Sequence, residues 1–174
     1  MASRPKALRA FRIADQRHPI LDGTGTFLLG SRWVSPGRRV IHAAESYAGS
    51  LLEMLVHCNT GRIPKTHAWI EITCPARFGV HEIKVSEVPD WNGFDIRRTR
   101  ALGDKWYAEK HSLVLLVPSV VTAGVERNVL INQDHPGFRY VRGTPPAGVV
   151  WDGRLFKTAA DEPLMAGRAG HPEA

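Results

Sequence analysis

The sequence predicts a single mixed α+β domain, on three observations. The chain has 174 residues, which is the length of one ordinary domain, and a fold of this size buries roughly 70% of its unfolded surface. Hydrophobic residues make up 43% and charged residues 23%, the composition of a folded globular protein. Short β-prone segments and helical patterns follow one another without an internal repeat or a low-complexity linker.

The first elements lie in the N-terminal third. Residues 38–43 are short and β-prone, and the helical spacing of residues 46–58 predicts a helix with Ser46 as its N-cap. On a helical wheel Glu53 falls on the polar side of this helix. The opposite, apolar face is predicted to contain Tyr47, Ala48, Leu51, Leu52, Leu55 and Val56.

The rest of the chain adds further strands and one more helix. Residues 67–73 alternate as a half-buried strand does, and residues 81–85 are predicted to pair with it or near it. A helix is expected over residues 99–110. The apolar run 112–117 predicts a central strand, and residues 128–132 predict another. Sequence patterns do not set the order of these strands.

Both ends and one glycine-rich segment are expected to be flexible. Residues 1–10 and 157–174 offer little apolar surface to bury. Gly23-Thr24-Gly25 lacks a GxGxxG or GxxxxGK[ST] pattern and a preceding apolar strand. We therefore interpret it as a flexible turn near the pocket rather than as a phosphate-binding loop.

Charge and cysteine usage limit the compartment and the partners. We expect a cytoplasmic protein, because there is no apolar run of the ~20 residues that cross a bilayer and no secretory signal. The two cysteines form no CxxC pair, which fits a reducing compartment. A net charge of +6 and a pI near 9.7 suit a polyanion, whether nucleic acid, an acidic protein or a phosphorylated small molecule.

The most informative stretch is residues 30–57, GSRWVSPGRRVIHAAESYAGSLLEMLVH. It resembles the RES domain, a family named for conserved arginine, glutamate and serine residues and found as the toxin of bacterial toxin–antitoxin pairs. Further segments match the family in the same order over residues 11–156: Phe11-Arg12-Ile13, Leu102-Gly103-Asp104-Lys105-Trp106, Val117-Pro118-Ser119, residues 128–132 with His135-Pro136, and residues 151–156.

The resemblance implies a fold like that of ADP-ribosyltransferases, with a mixed sheet core flanked by short helices, and NAD+ as co-substrate without a metal. Members of the family degrade NAD+ or transfer its ADP-ribose. Breaking the nicotinamide–ribose bond creates an oxocarbenium-like centre, so the site needs a carboxylate near the ribose and cations near the pyrophosphate.

The family pattern assigns the catalytic roles to Glu53, Arg32 and His42. Glu53 would stabilise the ribosyl cation and hydrogen-bond a ribose hydroxyl, and Arg32 would make forked hydrogen bonds to phosphate or ribose. Trp33 beside it is expected in the core. Arg12 matches another family arginine and is a second NAD+ ligand.

Two departures from the family pattern bear on the site. His42 stands where most relatives have tyrosine; it keeps a hydrogen-bonding ring, and Tyr47 is proposed to supply the aromatic face. Val34 replaces the usual asparagine. Ser119 and Asn132 match late polar positions of the family and are interpreted either as NAD+ ligands or as ordinary turn residues.

No metal site is expected. His57, Cys58, His67 and Cys74 are the candidate ligands, but their spacing matches no zinc-finger or zinc-ribbon pattern.

The resulting hypothesis is a toxin that transfers ADP-ribose from NAD+ to an acceptor, with a slight preference for a host protein. Hydrolysis or phosphorolysis of NAD+ is the alternative, and a basic RNA-interacting toxin or a non-catalytic interaction domain are alternatives of other classes. The resemblance also implies a helix-turn-helix (Xre-like) antitoxin that blocks the NAD+ pocket with its C-terminal segment, and a homodimeric toxin.

Overall fold

The computed structural model describes residues 7–58 and 65–156, except for the side chain of Cys58. The helices are α1 (Thr24–Leu29), α2 (Tyr47–Cys58) and α3 (Arg97–Glu109), with short 3-10 turns at Ala76–Phe78, Val85–Glu87, Pro136–Tyr140 and Gly153–Leu155. The strands are β1 (Leu8–Asp15), β2 (Val40–Ala44), β3 (His67–Cys74), β4 (Val80–Glu82), β5 (Val114–Pro118), β6 (Arg127–Asn132), β7 (Arg142–Gly143) and β8 (Ala147–Gly148).

These strands form one mixed sheet in the order β4-β5-β6-β2-β1-β3-β7, with β8 also pairing with β3. Only β4 and β5 run parallel; the other pairs are antiparallel. The predicted α+β class is confirmed. Strand β5 is buried at every position and lies inside the sheet, as its continuous apolar run predicts.

The sheet is weakest between β1 and β2. Strand β1 pairs with β3 along its whole length, from Leu8 opposite Cys74 to Asp15 opposite His67. It meets β2 at one register pair, Phe11 opposite Ala44. Strand β2 is instead paired with β6 over all five of its residues. The two halves of the sheet therefore diverge next to Phe11, and the gap between them opens the cleft described below.

The sheet separates two hydrophobic clusters. The first contains Ile41, Ile72, Val114 and Ile131. The second contains Val40, Leu115, Leu130 and the three tryptophans Trp33, Trp91 and Trp106. Because neighbouring residues of a strand point to opposite faces, Val40 and Ile41 bury opposite faces of the same sheet. Trp33 is 3% exposed, which confirms its expected place in the core.

Helix α3 crosses the segment that follows α1 at very close range. Gly103 of α3 is buried, and a Cβ at this position would lie 1.7 Å from the carbonyl oxygen of Trp33. The Thr99 hydroxyl donates to the carbonyl of Arg32 at 2.7 Å, and Arg100 Nε donates to the carbonyl of Ser31 at 2.8 Å. Residues 31–33 are therefore fixed on α3.

Helix α2 begins as predicted but buries a different face. The Ser46 hydroxyl accepts a hydrogen bond from the Gly49 N–H at 2.8 Å, which confirms the N-cap. Gly49 and Ser50 are buried, whereas Leu52 is 39% and Val56 57% exposed. The predicted apolar face is therefore wrong, because Gly49 brings the helix so close that a Cβ there would lie 2.6 Å from the Glu126 carboxylate.

Other segments differ from the sequence-based prediction. Strand β4 pairs with β5 and not with β3. Strand β1 begins at Leu8, inside the N-terminal segment expected to be flexible, because Ala10 and Ile13 are buried. Gly23-Thr24-Gly25 is not a flexible turn, because Gly23 is the N-cap and Thr24 and Gly25 are the first residues of helix α1. Residues 1–6 and 157–174 lie outside the described residues.

We expect Gly103→Ala to lower the free energy of unfolding by about 3 kcal/mol or more, because the added methyl group meets backbone atoms of Trp33 that cannot rotate away. Urea unfolding followed by tryptophan fluorescence measures the change. Gly153→Ala is the matched control, since no atom lies within 4 Å of the added Cβ. Equal stability of the two variants would contradict the close packing of α3 on Trp33.

Candidate functional site

A cleft of about 690 Å³ opens where β1 and β2 diverge. Helix α2 and the residues after β5 form one wall, and residues 25–33 form the other. Its lining includes the side chains of Phe11, Arg12, Arg32, His42, Glu53, His57 and Asn128. Three residues of the predicted catalytic set, Glu53, Arg32 and His42, are thus brought together by the fold.

Glu53 is held in place by two donors from the other half of the sheet. Its Oε1 accepts hydrogen bonds from the Ser119 hydroxyl at 2.9 Å and from Asn128 Nδ2 at 2.7 Å. Ser119 is buried directly after β5, and Asn128 lies on β6. Oε2 accepts no hydrogen bond from residues in the described part of the chain. One carboxylate oxygen is therefore fixed and the other is available to a ligand.

Arg12 bridges the gap between the diverging strands. Its Nη1 donates to the carbonyl of His42 on β2 at 2.6 Å, and its Nε donates to the carbonyl of Ile20 at 2.8 Å. Burial lowers the pKa of Arg12 to about 10, against a smaller, opposing effect of Asp22. Arg12 is therefore still a cation at neutral pH, and it replaces backbone hydrogen bonds that β1 and β2 do not make.

Arg32 is oriented by the loop that precedes α3. Its Nη1 donates to the carbonyls of Trp91 at 3.1 Å and Gly93 at 2.7 Å. Over residues 7–58 and 65–156, no hydrogen bond occupies its Nε or Nη2. Because α3 also fixes the backbone of Arg32, this guanidinium lines the cleft in a defined position with donors to spare.

His42 lines the cleft and has one unsatisfied ring nitrogen. Its Nε2 is shielded from solvent and has no hydrogen-bond partner within the part of the chain that the structure describes. Burial lowers the pKa of His42 to about 3, and electrostatic interactions with Arg12 and His57 act in the same direction. His42 is therefore neutral at physiological pH, and its Nε2 is a buried polar atom without a hydrogen-bond partner among the described residues.

Sequence reasoning missed three residues of the cleft. His57 lies four residues after Glu53 on α2, so the i, i+4 spacing places both on one face and could have identified it. Asn128 and Phe11 each lie in a segment that matches the family, but neither is predicted as a site residue. No sequence signal shows that Asn128 reaches Glu53, because the two residues are 75 positions apart.

Tyr47 and Asn132 lie away from the cleft. The Tyr47 ring packs edge-on against Trp69 at 5.2 Å and Phe11 at 6.4 Å, so it supports a cleft residue without lining the cleft. Asn132 is fully buried at the far end of β6, where its Nδ2 donates to the carbonyl of Tyr107 at 3.1 Å. Neither residue lines this cleft, so the predicted contacts of Tyr47 and Asn132 with NAD+ stay predictions.

Ser119 contacts the carboxylate of Glu53. It is 2% exposed and its hydroxyl donates to Glu53, so its predicted contact with NAD+ stays a prediction.

Residues 7–58 and 65–156 contain no group of three or more metal-binding side chains. Cys74 is buried, and burial raises the pKa of its thiol to about 12. No helix of these residues has the length and hydrophobicity to cross a membrane.

Comparison with known proteins identifies the family. The family model described as "RES domain" matches residues 9–152. A protein of Sphingobium sp. named "Prs ADP-ribosylating toxin" is 29% identical over 143 residues, covering 80% of this chain and 88% of that protein. "Toxin Res" of Photorhabdus laumondii is 30% identical over 138 residues, covering 78% and 87%.

The fold has a similar solved structure. A chain of the crystal structure of the M. tuberculosis MbcT-MbcA toxin-antitoxin complex superposes with a TM-score of 0.67 at 17% identity, covering 84% of this chain and 86% of that one. The predicted resemblance is thereby confirmed. The family model matches the chain from its first strand to the segment before the last 3-10 turn. The chain therefore belongs to the RES domain family.

Proposed function

We propose that this protein is the toxin of a toxin–antitoxin pair, and that it binds NAD+ in the cleft, breaks the nicotinamide–ribose bond and passes ADP-ribose to an acceptor. The observation that carries this proposal is the Glu53 carboxylate, which Ser119 and Asn128 hold by one oxygen inside a cleft that also contains two arginines. Relatives named "Toxin Res" and "Prs ADP-ribosylating toxin" support it.

The proposed reaction uses Glu53 at the ribose. As the bond between the ribose anomeric carbon and the nicotinamide nitrogen breaks, its electron pair leaves with neutral nicotinamide and positive charge develops on the ribose. The free Oε2 stabilises that charge or accepts a hydrogen bond from a ribose hydroxyl. An acceptor oxygen or nitrogen then bonds to the anomeric carbon and loses its proton.

The remaining cleft residues fit the rest of the dinucleotide. The volume of about 690 Å³ lies in the range of small-molecule sites. Arg32 offers its free guanidinium edge to the pyrophosphate, and the charge of Arg12 lies at the base of the same gap. Neutral His42 can donate or accept at a ribose hydroxyl, so it takes the hydrogen-bonding role of the family tyrosine.

A protein is the acceptor that we favour. Leu29, Val56 and Val120 line the cleft and are 79%, 57% and 40% exposed. An exposed apolar rim suits a macromolecular partner, whereas water or phosphate would need no such surface. The name of the Sphingobium relative gives independent support. Hydrolysis and phosphorolysis of NAD+ use the same site and are the alternatives.

The proposal includes an antitoxin partner of the Xre type that covers the NAD+ cleft, a homodimeric toxin and a cytoplasmic location. The similarity to a chain of the M. tuberculosis toxin-antitoxin complex supports an antitoxin partner in general.

The main test is release of nicotinamide from NAD+ by the purified protein, with and without bacterial lysate. We expect Glu53→Gln to lower the rate about 10²- to 10³-fold, because the amide keeps the shape of the side chain and removes the negative charge. Labelled NAD+ identifies the acceptor, as label on protein, on phosphate or in free ADP-ribose. Intact NAD+ with the unmodified protein in both conditions would refute the proposed function.

Loss of the donors that hold Glu53 should affect kcat more than KM. We expect Ser119→Ala and Asn128→Ala each to lower kcat about 10- to 100-fold, because Glu53 loses its fixed geometry while the arginines still bind NAD+. Tyr47→Phe is the control and should leave both constants unchanged, since Tyr47 does not line the cleft. An increase in KM alone would show that Ser119 and Asn128 bind substrate instead.

Neutral His42 should make the protein acid-sensitive. Its pKa is about 3 in the folded protein and near 6.5 in the unfolded chain, so below pH 6.5 the unfolded state binds the proton first. The contribution of His42 to the free energy of unfolding is fully present above pH 6.5. It decreases as the pH falls towards 3, by up to about 1.4 kcal/mol per pH unit. Urea unfolding from pH 7 to pH 4 should show a shallower loss for His42→Gln. Parallel curves would contradict this assignment.

A further inference from the structure

A second basic surface lies outside the cleft, around two stacked aromatic rings. Phe78 and Tyr140 stack with centroids 5.2 Å apart and an interplanar angle of 16°. Arg77 Cζ lies 4.7 Å from the centroids of both rings, and Arg139 Cζ lies 4.9 Å from that of Tyr140. We call these four residues the arginine–aromatic cluster.

The aromatic rings of this cluster are held by the fold. Phe78 packs against the first hydrophobic cluster, and the His135 ring contacts it edge-on at 6.2 Å. Gly137 is buried against the same ring, where a Cβ would lie 2.6 Å from Phe78 Cγ. Because the rings are fixed, the guanidinium groups over them lose little further freedom when they bind a ligand.

The arginines of the cluster have no carboxylate partner in the described part of the chain. Arg77 and Arg139 are exposed, and neither forms an ion pair there. Exposed arginines elsewhere do, for example Arg97 with Asp95 at 2.7 Å and Arg154 with Asp152 at 2.6 Å. The positive charge at the cluster is therefore not neutralised locally, and it belongs to a chain of net charge +6.

The cluster is separate from the NAD+ cleft. Phe78 packs on the sheet face that Ile41 and Ile131 bury, whereas His42 points to the other face because it follows Ile41 in β2. None of the four residues lines the cleft. A ligand at the cluster therefore leaves the proposed catalytic residues accessible.

We propose that the arginine–aromatic cluster binds the phosphate backbone of a nucleic acid, independently of base sequence. Arg77 and Arg139 lie within 5 Å of the same ring, so their guanidinium carbons are less than about 10 Å apart. A nucleic acid strand carries a charge about every 3.4 Å of its axis, so both groups can each reach a phosphate of one strand.

The chemistry favours this backbone over other anions. Guanidinium groups fork onto phosphate oxygens, and the exposed Arg142 beside Arg139 adds a third cation. Phe78 and Tyr140 cover one face of each other, Arg139 lies over Tyr140, and Gly137 packs against Phe78, so the cluster offers no free platform for base stacking. Recognition therefore rests on phosphate and not on sequence.

The test is fluorescence anisotropy of labelled RNA and duplex DNA of about 20 nucleotides with the full chain over a salt series. We expect Arg77→Ala with Arg139→Ala to weaken binding and to reduce the slope of log affinity against log salt by about 1.5. The matched control is Arg97→Ala with Arg154→Ala, which removes the same charge from ion-paired positions and should change the slope little. NAD+ consumption should be unchanged in both double variants.

Three outcomes would overturn the proposal: no binding by the unmodified protein, equal loss in the two double variants, or competition by polyglutamate as strong as that by unlabelled RNA. The last outcome, competition by polyglutamate, would indicate an acidic protein partner.

Thermal melting checks that the variants fold. If the alanine pair is unstable, Arg77→Lys with Arg139→Lys keeps the charge, and a weaker affinity with an unchanged slope supports the forked phosphate contacts.

Discussion

The structure depends on the divergence of two neighbouring strands. Strand β1 pairs along its whole length with β3, and β2 pairs along its whole length with β6. Strands β1 and β2 therefore share one register pair, Phe11 opposite Ala44. A sheet opened in this way leaves backbone groups without partners and needs a substitute. Arg12 provides it by donating to the carbonyl of His42. The same guanidinium thereby stabilises the open sheet and places a cation in the cleft.

The cleft then receives its functional groups from both halves of the sheet. Glu53 comes from α2, which packs on β1 and β2, while the donors to its carboxylate come from the ends of β5 and β6. Arg32 comes from a segment fixed on α3 by Gly103, Thr99 and Arg100. Each group is thus fixed by a different element, which preorganises the site before any ligand binds.

Two pairs of arginines place positive charge on different parts of the protein. One part lies in the cleft, where Arg12 and Arg32 are held by backbone carbonyls. Another part lies on the opposite sheet face, where Arg77 and Arg139 rest on aromatic rings. None of these four arginines forms an ion pair within the described residues, although the carboxylate of Asp22 acts on Arg12. Net charge alone does not distinguish these two surfaces. They differ in the groups that hold the arginines, which are backbone carbonyls in the cleft and aromatic rings on the opposite face.

Local pattern was enough for what depends on near neighbours in the chain. The α+β class, the β3, β5 and β6 segments, the Ser46 cap and the α3 helix follow from periodicity and capping. Ordered motifs point to Arg12, Arg32, His42 and Glu53, and all four line the cleft. Contacts between distant residues decided the rest. The close approach of Gly49 orients α2 so that Leu52 and Val56 are exposed. Strand pairing places Asn132 away from the cleft. Ser119 and Asn128 contact Glu53 although more than 60 positions of sequence separate them from it. Such contacts depend on strand order and close backbone approach, which no local periodicity encodes.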